Sequence, residues 1–215
     1  MKTTKKAPAA MENNEKKSKI DTIIAGVGGL GNILAAKIVS HAFAAAGYDV
    51  KQSEVHGMAQ RGGAVSSHVR AGARVHSPLI SLGGADFILS LEKMEALRYL
   101  EYASSRTVAI IGDLRIDPPS VASGSEEYPD DAAERAGRVA GEVVEVAACR
   151  IAREIGSERV FNSVLLGALA ARVPVPLSAW EGTYAGLMSG AALETNLAAF
   201  RAGFDNQRFR ATGCR

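Results

Sequence analysis

The chain is poor in the residues that build metal centres. Its 215 residues include two cysteines and four histidines. Cys149 and Cys214 lie far apart and form no C-x-x-C pair, which excludes an iron–sulfur cluster or a structural zinc site built by this chain alone. Free thiols in a reducing cytoplasm are the simpler reading. No apolar run is long enough to span a bilayer, and the first residues lack the apolar core of a signal peptide. The body also has no positive field. Met1 to Lys19 carries six lysines against Glu12 and Glu15, while the remainder holds 19 basic and 21 acidic side chains. The net charge of +2 therefore belongs to the tail, and the body lacks the basic surface that nucleic-acid binding uses. Residues 1–19 read as a solvated, disordered extension rather than an organellar address.

Catalytic machinery is missing too. There is no G-x-S-x-G, no nucleophile–histidine–acid set and no Walker lysine. The sequence offers a binding surface without an evident catalytic engine.

What is present begins with I-D-T-I-I-A-G at 20–26, a β-branched apolar run that suits a buried strand. It enters Gly26-Val27-Gly28-Gly29-Leu30-Gly31 and a helical stretch over 32–46, closed by Gly47. Residues 48–53 read as the second strand, so 20–54 forms one β-α-β unit with parallel strands. Glycines at 26, 28 and 31 fit G-x-G-x-x-G, the spacing that lets backbone amides and a helix N-terminus approach a phosphate. The same glycines also suit a tight turn with close packing and no ligand. A dinucleotide site wants an acid after the second strand for the ribose hydroxyls, and Glu54 stands there.

The richest stretch follows, Ser53-Glu54-Val55-His56-Gly57-Met58-Ala59-Gln60-Arg61-Gly62-Gly63. It sets an acid, an imidazole, an amide and a guanidinium between glycines, at the end of a strand where functional loops lie. Arg61 can fork onto a phosphate or carboxylate, or pin the loop by a salt bridge. Glu54, His56 and His68 match no metal spacing, and a histidine in such a place is more often a structural hydrogen-bonder.

Residues 64–70 alternate as a strand, with Val65, Ser67 and Val69 on one face and Ser66, His68 and Arg70 on the other. A short return strand is expected over 74–80, with Pro78 at an edge. A strand over 85–91, a helix over 92–102 and a strand over 107–111 come next. Residues 112–131 read as an irregular excursion with a short strand near Tyr128. Valines and isoleucines from Val139 to Ile155 predict one long helix over 132–155. Three more helices are expected, over 159–171, over 179–188 capped by Ser178, and over 191–200. The result is an α/β fold, three-layer α/β/α with a mixed, mostly parallel sheet and a helical C-terminal part. It forms one domain over 20–204, with a flexible end over 205–215.

The glycine turn, the run Y-D-V-K-Q-S-E-V-H-G-M-A-Q-R-G-G-A-V-S-S-H-V-R at 48–70, V-H-S-P-L-I at 75–80, G-A-D at 84–86, F-N-S-V-L-L-G-A at 161–168 and E-x-N-x-x-A-F at 194–200 resemble the 2-oxoacid:ferredoxin oxidoreductases. The match is to their gamma-type subunit or domain, above all the small (beta) subunit of the indolepyruvate-type enzymes, and it covers about residues 20–204. The resemblance implies part of a complex that oxidatively decarboxylates a 2-oxoacid on thiamine diphosphate. Electrons then pass through iron–sulfur clusters to ferredoxin, and acyl-CoA is released. It also implies a larger partner subunit holding the thiamine diphosphate, magnesium and clusters, with coenzyme A at this chain's edge. This chain lacks the cluster cysteines and a G-D-G…N signature, since Gly112-Asp113 is followed by leucine. By the same resemblance Gly26, Gly28, Gly29, Gly31, Glu54, His56, Gly57, Met58, Gln60, Arg61, Gly62 and Ser66 face the partner's active site or coenzyme A. The family usually has glutamine where this chain has Leu30, and Asn32 can supply an amide two residues on. An isolated subunit can bury its partner-facing patch in a homodimer.

Overall fold

A computed structural model describes residues 18–56 and 63–212, the side chains of 56 and 208–212 excepted. Strand β1 (Ile20–Val27) is buried along all eight residues. That burial is what the apolar run requires, because β1 has a strand on each side and helices on each face. Six strands form one sheet in the order β2-β3-β1-β4-β5-β6, with β2 at Asp49–His56, β3 at Ala64–Gly72, β4 at Phe87–Ser90, β5 at Val108–Gly112 and β6 at Glu142–Val146. Only β3 runs against its neighbours, pairing antiparallel with β1 (Ile20↔Ala71 to Val27↔Ala64) and with β2 (Asp49↔Gly72 to His56↔Val65). β1, β4, β5 and β6 are parallel. The expected parallel β-α-β unit is present, with β3 inserted between its strands.

Strand alternation sends Ile24, Val69, Leu89, Ile110 and Val144 to one face. There they meet helices α1 (Asn32–Ala45), α5 (Ala148–Ile155), α6 (Phe161–Ala170), α7 (Leu177–Leu187) and α8 (Gly190–Thr212). Phe43, Trp180, Tyr184 and Phe200 stack at the centre of this layer, with ring centroids 5.4–6.0 Å apart. The opposite face carries Ile23, Ile88, Ala109 and Ile111. It is covered by α2 (Lys93–Arg98), α4 (Ala132–Gly137) and the segment after β3. The short helix α3 (Pro119–Ala122) lies in the excursion between β5 and α4. The three-layer mixed architecture is as expected.

Several elements differ from expectation. No strand forms over 74–80. There the backbone is held by side chains instead of a ladder: Arg70 Nη1 donates to the carbonyls of Ser77 and Leu79, Ile80 N–H donates to His68 Nδ1, and Val75 N–H donates to Asp49. Both edges of β3 are already taken by β1 and β2, so no place in the sheet remains. The helix expected over 132–155 is α4, then strand β6, then α5. β6 completes the ladder of β5, and Val144 and Val146 point one way within it. Tyr128 lies in no strand, because its hydroxyl donates to the buried Glu92 carboxylate at 2.5 Å. Ser178 does not cap α7, which starts one residue earlier behind Pro176. Helix α8 runs to Thr212, well past Phe200, because Gly203 and Phe204 continue its packing against α6 and the core.

Candidate ligand-facing and partner-facing site

In an open parallel sheet the binding crevice lies at the carboxyl ends of neighbouring strands whose following helices leave to opposite faces. β1 and β4 meet that condition, since β1 leads to α1 on one face and β4 to α2 on the other. The glycine turn occupies this place.

Each glycine has its own reason. Gly29 and Gly31 have φ of 103° and 85°, a left-handed conformation that side chains resist. A Cβ on Gly26 would lie 2.6 Å from Asn32 Oδ1, and one on Gly31 would lie 2.7 Å from Asn162 Nδ2. Gly28 N–H donates to Gly63 O at 2.8 Å, tying the turn to the start of β3. Asn32 Nδ2 holds the turn by a 3.3 Å bond to Val27 O, while its buried Oδ1 has no donor. Helix α1 opens with Ala35 N–H to Gly31 O, has no side-chain cap and has no acid in its first turn. The backbone N–H groups of Gly29, Gly31, Asn32, Ile33 and Leu34 find no acceptor among the described residues. These amides and the positive end of the helix dipole suit an anion.

The end of β2 and the start of β3 stand at the same end of the sheet, through the Gly28–Gly63 bond and the His56↔Val65 pair. Gly57, Met58, Gln60, Arg61 and Gly62 lie outside the described residues. Glu54 is exposed on β2, where its carboxylate accepts from Gln52 Nε2 at 3.3 Å. Gln52 in turn accepts from Ser40 on α1 at 2.7 Å. Because β3 separates β2 from β1, Glu54 sits one strand, about 4.8 Å, further from the turn than the ribose-binding acid of a dinucleotide fold. Ser66 is fully buried beside Ala25 of β1. His68 faces away from Glu54, since Ser53 is its partner on β2 while Ser67 is Glu54's. Burial, with Arg70 nearby, pushes the His68 imidazole below its ordinary pKa, and its Nδ1 accepts from Ile80. It is a structural hydrogen-bonder, as a histidine in that position more often is.

Asp113 has a different task from a metal ligand. Its Oδ1 accepts the Cys149 N–H at 2.8 Å and so caps α5. Burial and the neighbouring Asp113 carboxylate push the Cys149 thiol up to about 11. Among the described residues no three His, Cys, Asp or Glu converge as a metal site, and no helix is long and apolar enough to cross a membrane. At the site's end of the molecule Ile33, Leu34 and Val55 are exposed large hydrophobics.

A residue that the sequence reading did not place at the turn is Asn162, at the head of α6, whose Nδ2 lies against Gly31. Its signals are its place in the F-N-S-V-L-L-G-A run at 161–168 and a lone amide near the start of a helix whose ten residues are all buried.

Residues 21–206 match the family model described as pyruvate ferredoxin/flavodoxin oxidoreductase. The chain belongs to this family. Among curated relatives of this oxidoreductase family is the indolepyruvate oxidoreductase subunit IorB of Archaeoglobus fulgidus. It is 36% identical over 191 residues, covering 87% of this chain and 94% of that protein. Two solved structures share the fold. The keto/oxoacid ferredoxin oxidoreductase gamma subunit of Geobacter sulfurreducens has a TM-score of 0.65 at 24% identity, covering 88% of this chain and 98% of that one. The 2-oxoglutarate:ferredoxin oxidoreductase of Magnetococcus marinus, solved with 2-oxoglutarate, coenzyme A and succinyl-CoA, has a TM-score of 0.67 at 22% identity. It covers 94% of this chain but 32% of that longer one.

Proposed function

We propose that this chain is the small subunit of an indolepyruvate- or arylpyruvate-type 2-oxoacid ferredoxin oxidoreductase. The whole complex converts a 2-oxoacid and coenzyme A to acyl-CoA and carbon dioxide, with two electrons passing to ferredoxin. This chain docks a larger subunit that holds the thiamine diphosphate, magnesium and iron–sulfur clusters. Its own contribution is a surface that faces coenzyme A and the partner's active site in the cytoplasm.

The observation that carries this reading is the glycine turn. Five unclaimed amides stand at the switch point of the sheet, and no nucleophile or acid–base pair among the described residues converges on them. Ile33, Leu34 and Val55 give that end an apolar rim of the sort a subunit interface covers. The sequence after Gly112-Asp113 lacks the rest of a G-D-G…N signature, and Asp113 Oδ1 caps α5, which supports placing the magnesium diphosphate on the partner. Arg61, by its chemistry, is a forked donor suited to a phosphate or carboxylate. The nicotinamide reading is disfavoured by the strand that separates Glu54 from the turn.

Co-expression of the tagged chain with its large subunit tests the proposal. A stoichiometric complex is expected, weakened by Ile33→Asp and by Val55→Asp. A large subunit that never co-elutes, while the chain binds NADH tightly and loses it on Glu54→Ala, would replace this reading with a free-standing nicotinamide-binding one.

A further inference from the structure

We propose that residues 114–130 form a strap fastened at one latch, the buried Glu92 carboxylate, and that release of this latch opens a polar cavity at the carboxyl ends of β4, β5 and β6.

The strap is closed on itself. Arg115 lies 4.1 Å over the Tyr128 ring and pairs with Asp117 at 2.7 Å and Asp130 at 3.1 Å, so the two ends of the strap meet. Between them, α3 and the turn after it bond internally. Ala122 N–H donates to Pro118 O, Ser123 N–H to Pro119 O, and the Ser125 N–H and hydroxyl both to Ser120 O. Glu92, which is fully buried, fastens this unit to the body. Its Oε1 accepts the Tyr128 hydroxyl at 2.5 Å and the Ile116 N–H at 3.1 Å, one from each end of the strap. Its Oε2 accepts the Glu95 N–H at 3.0 Å and so caps α2, a bond that belongs to the helix. The Tyr128 hydroxyl in turn accepts the Met94 N–H at 3.1 Å. A buried carboxylate that loses its donors is costly until water replaces them. The two bonds on Oε1 therefore break together, as water enters, and the strap leaves as one piece.

The cavity stands behind the latch. It measures about 340 Å³ and is lined by Lys93, Gly112, Asp113, Glu145 and Ala147, among others. Lys93 follows Glu92 in the chain, and its N–H donates to Leu114 O at 3.0 Å. Asp113 Oδ1 accepts the Cys149 N–H at 2.8 Å. The root of the strap thus joins the starts of α2 and α5, which lie on opposite faces of the sheet. Lifting the strap frees both joints and widens the cavity between them. An ammonium and two carboxylates in its lining suit a small molecule of mixed charge.

Amide hydrogen exchange on the full chain, read residue by residue by NMR, tests this. Tyr128→Phe removes the hydroxyl but leaves the acceptors of Ile116, Lys93 and Cys149 in place. These three amides are expected to exchange about tenfold faster or more in the variant, the scale of a lost bond to a charged group. The amides of β1 and β5 are expected to keep their rates. Unchanged rates at Ile116 and Lys93, or an even rise that includes β1 and β5, overturns the latch. A rise at Ile116 and Lys93 with Cys149 unchanged overturns its link to the cavity. The unaltered chain gives a second reading that needs no variant. Its Ile116, Lys93 and Cys149 amides are expected to share one protection factor, about tenfold or more below that of β1. Three unrelated protection factors, or protection equal to that of β1, overturns the strap.

Discussion

Asp113 and Cys149 show how neighbours decide what a side chain can do. The carboxylate accepts the Cys149 amide, and the same carboxylate together with burial holds the thiol protonated to about 11. Only the thiolate is a good nucleophile, so Cys149 is inert near neutrality. In a Cys214→Ser background, alkylation by iodoacetamide should be slow at pH 7.5 and rise about tenfold per pH unit towards pH 11. Fast alkylation at pH 7.5 would contradict the assignment, and Asp113→Asn should bring the rate up. At this scale the sequence was legible where backbone geometry demands a residue. Gly29 and Gly31 announce themselves because their φ values exclude side chains. The packing of Asn162 against Gly31 did not, because only the fold brings that distant turn against it.

Among the elements, α6 and α8 cross most closely. A Cβ on Gly167 would overlap the carbonyl oxygen of Phe200, and one on Gly203 would overlap that of Val164. Two glycines facing each other across a crossing bring backbones together and let Val164, Leu165 and Leu169 fill the core on either side. Gly167→Ala should destabilise the chain by about 3 kcal/mol, read as a lower urea midpoint, because neither backbone can retreat without opening the core. A midpoint within error of the unaltered chain would show that the helices separate freely. Elements with one dominant period were legible: β1, α1 and the alternation of Val65, Ser67 and Val69 all stand as expected. Residues 132–155 were not. Their valines fit both a helical stripe and a short strand, and the choice was made by the open edge of β5, which no local pattern records. The segment over 74–80 failed for the complementary reason, since both edges of β3 were already taken.

For the molecule as a whole, the insertion of β3 between β1 and β2 has the largest functional consequence. It keeps the glycine turn of a nucleotide-binding fold but moves Glu54 away, and it ties the start of β3 to the turn through Gly28 and Gly63. One end of the sheet thus holds the anion-directed amides and an apolar rim, and no catalytic set among the described residues. The three-layer mixed fold was legible because the buried strands and the helices between them are strongly patterned. The proposal that a partner carries the cofactors rests on the scarcity of cysteines in the sequence and on the family resemblance. The most direct test is indolepyruvate- and coenzyme A-dependent reduction of a viologen dye by the large subunit, with and without this chain. The account predicts turnover only when both are present. Full activity from the large subunit alone would contradict it.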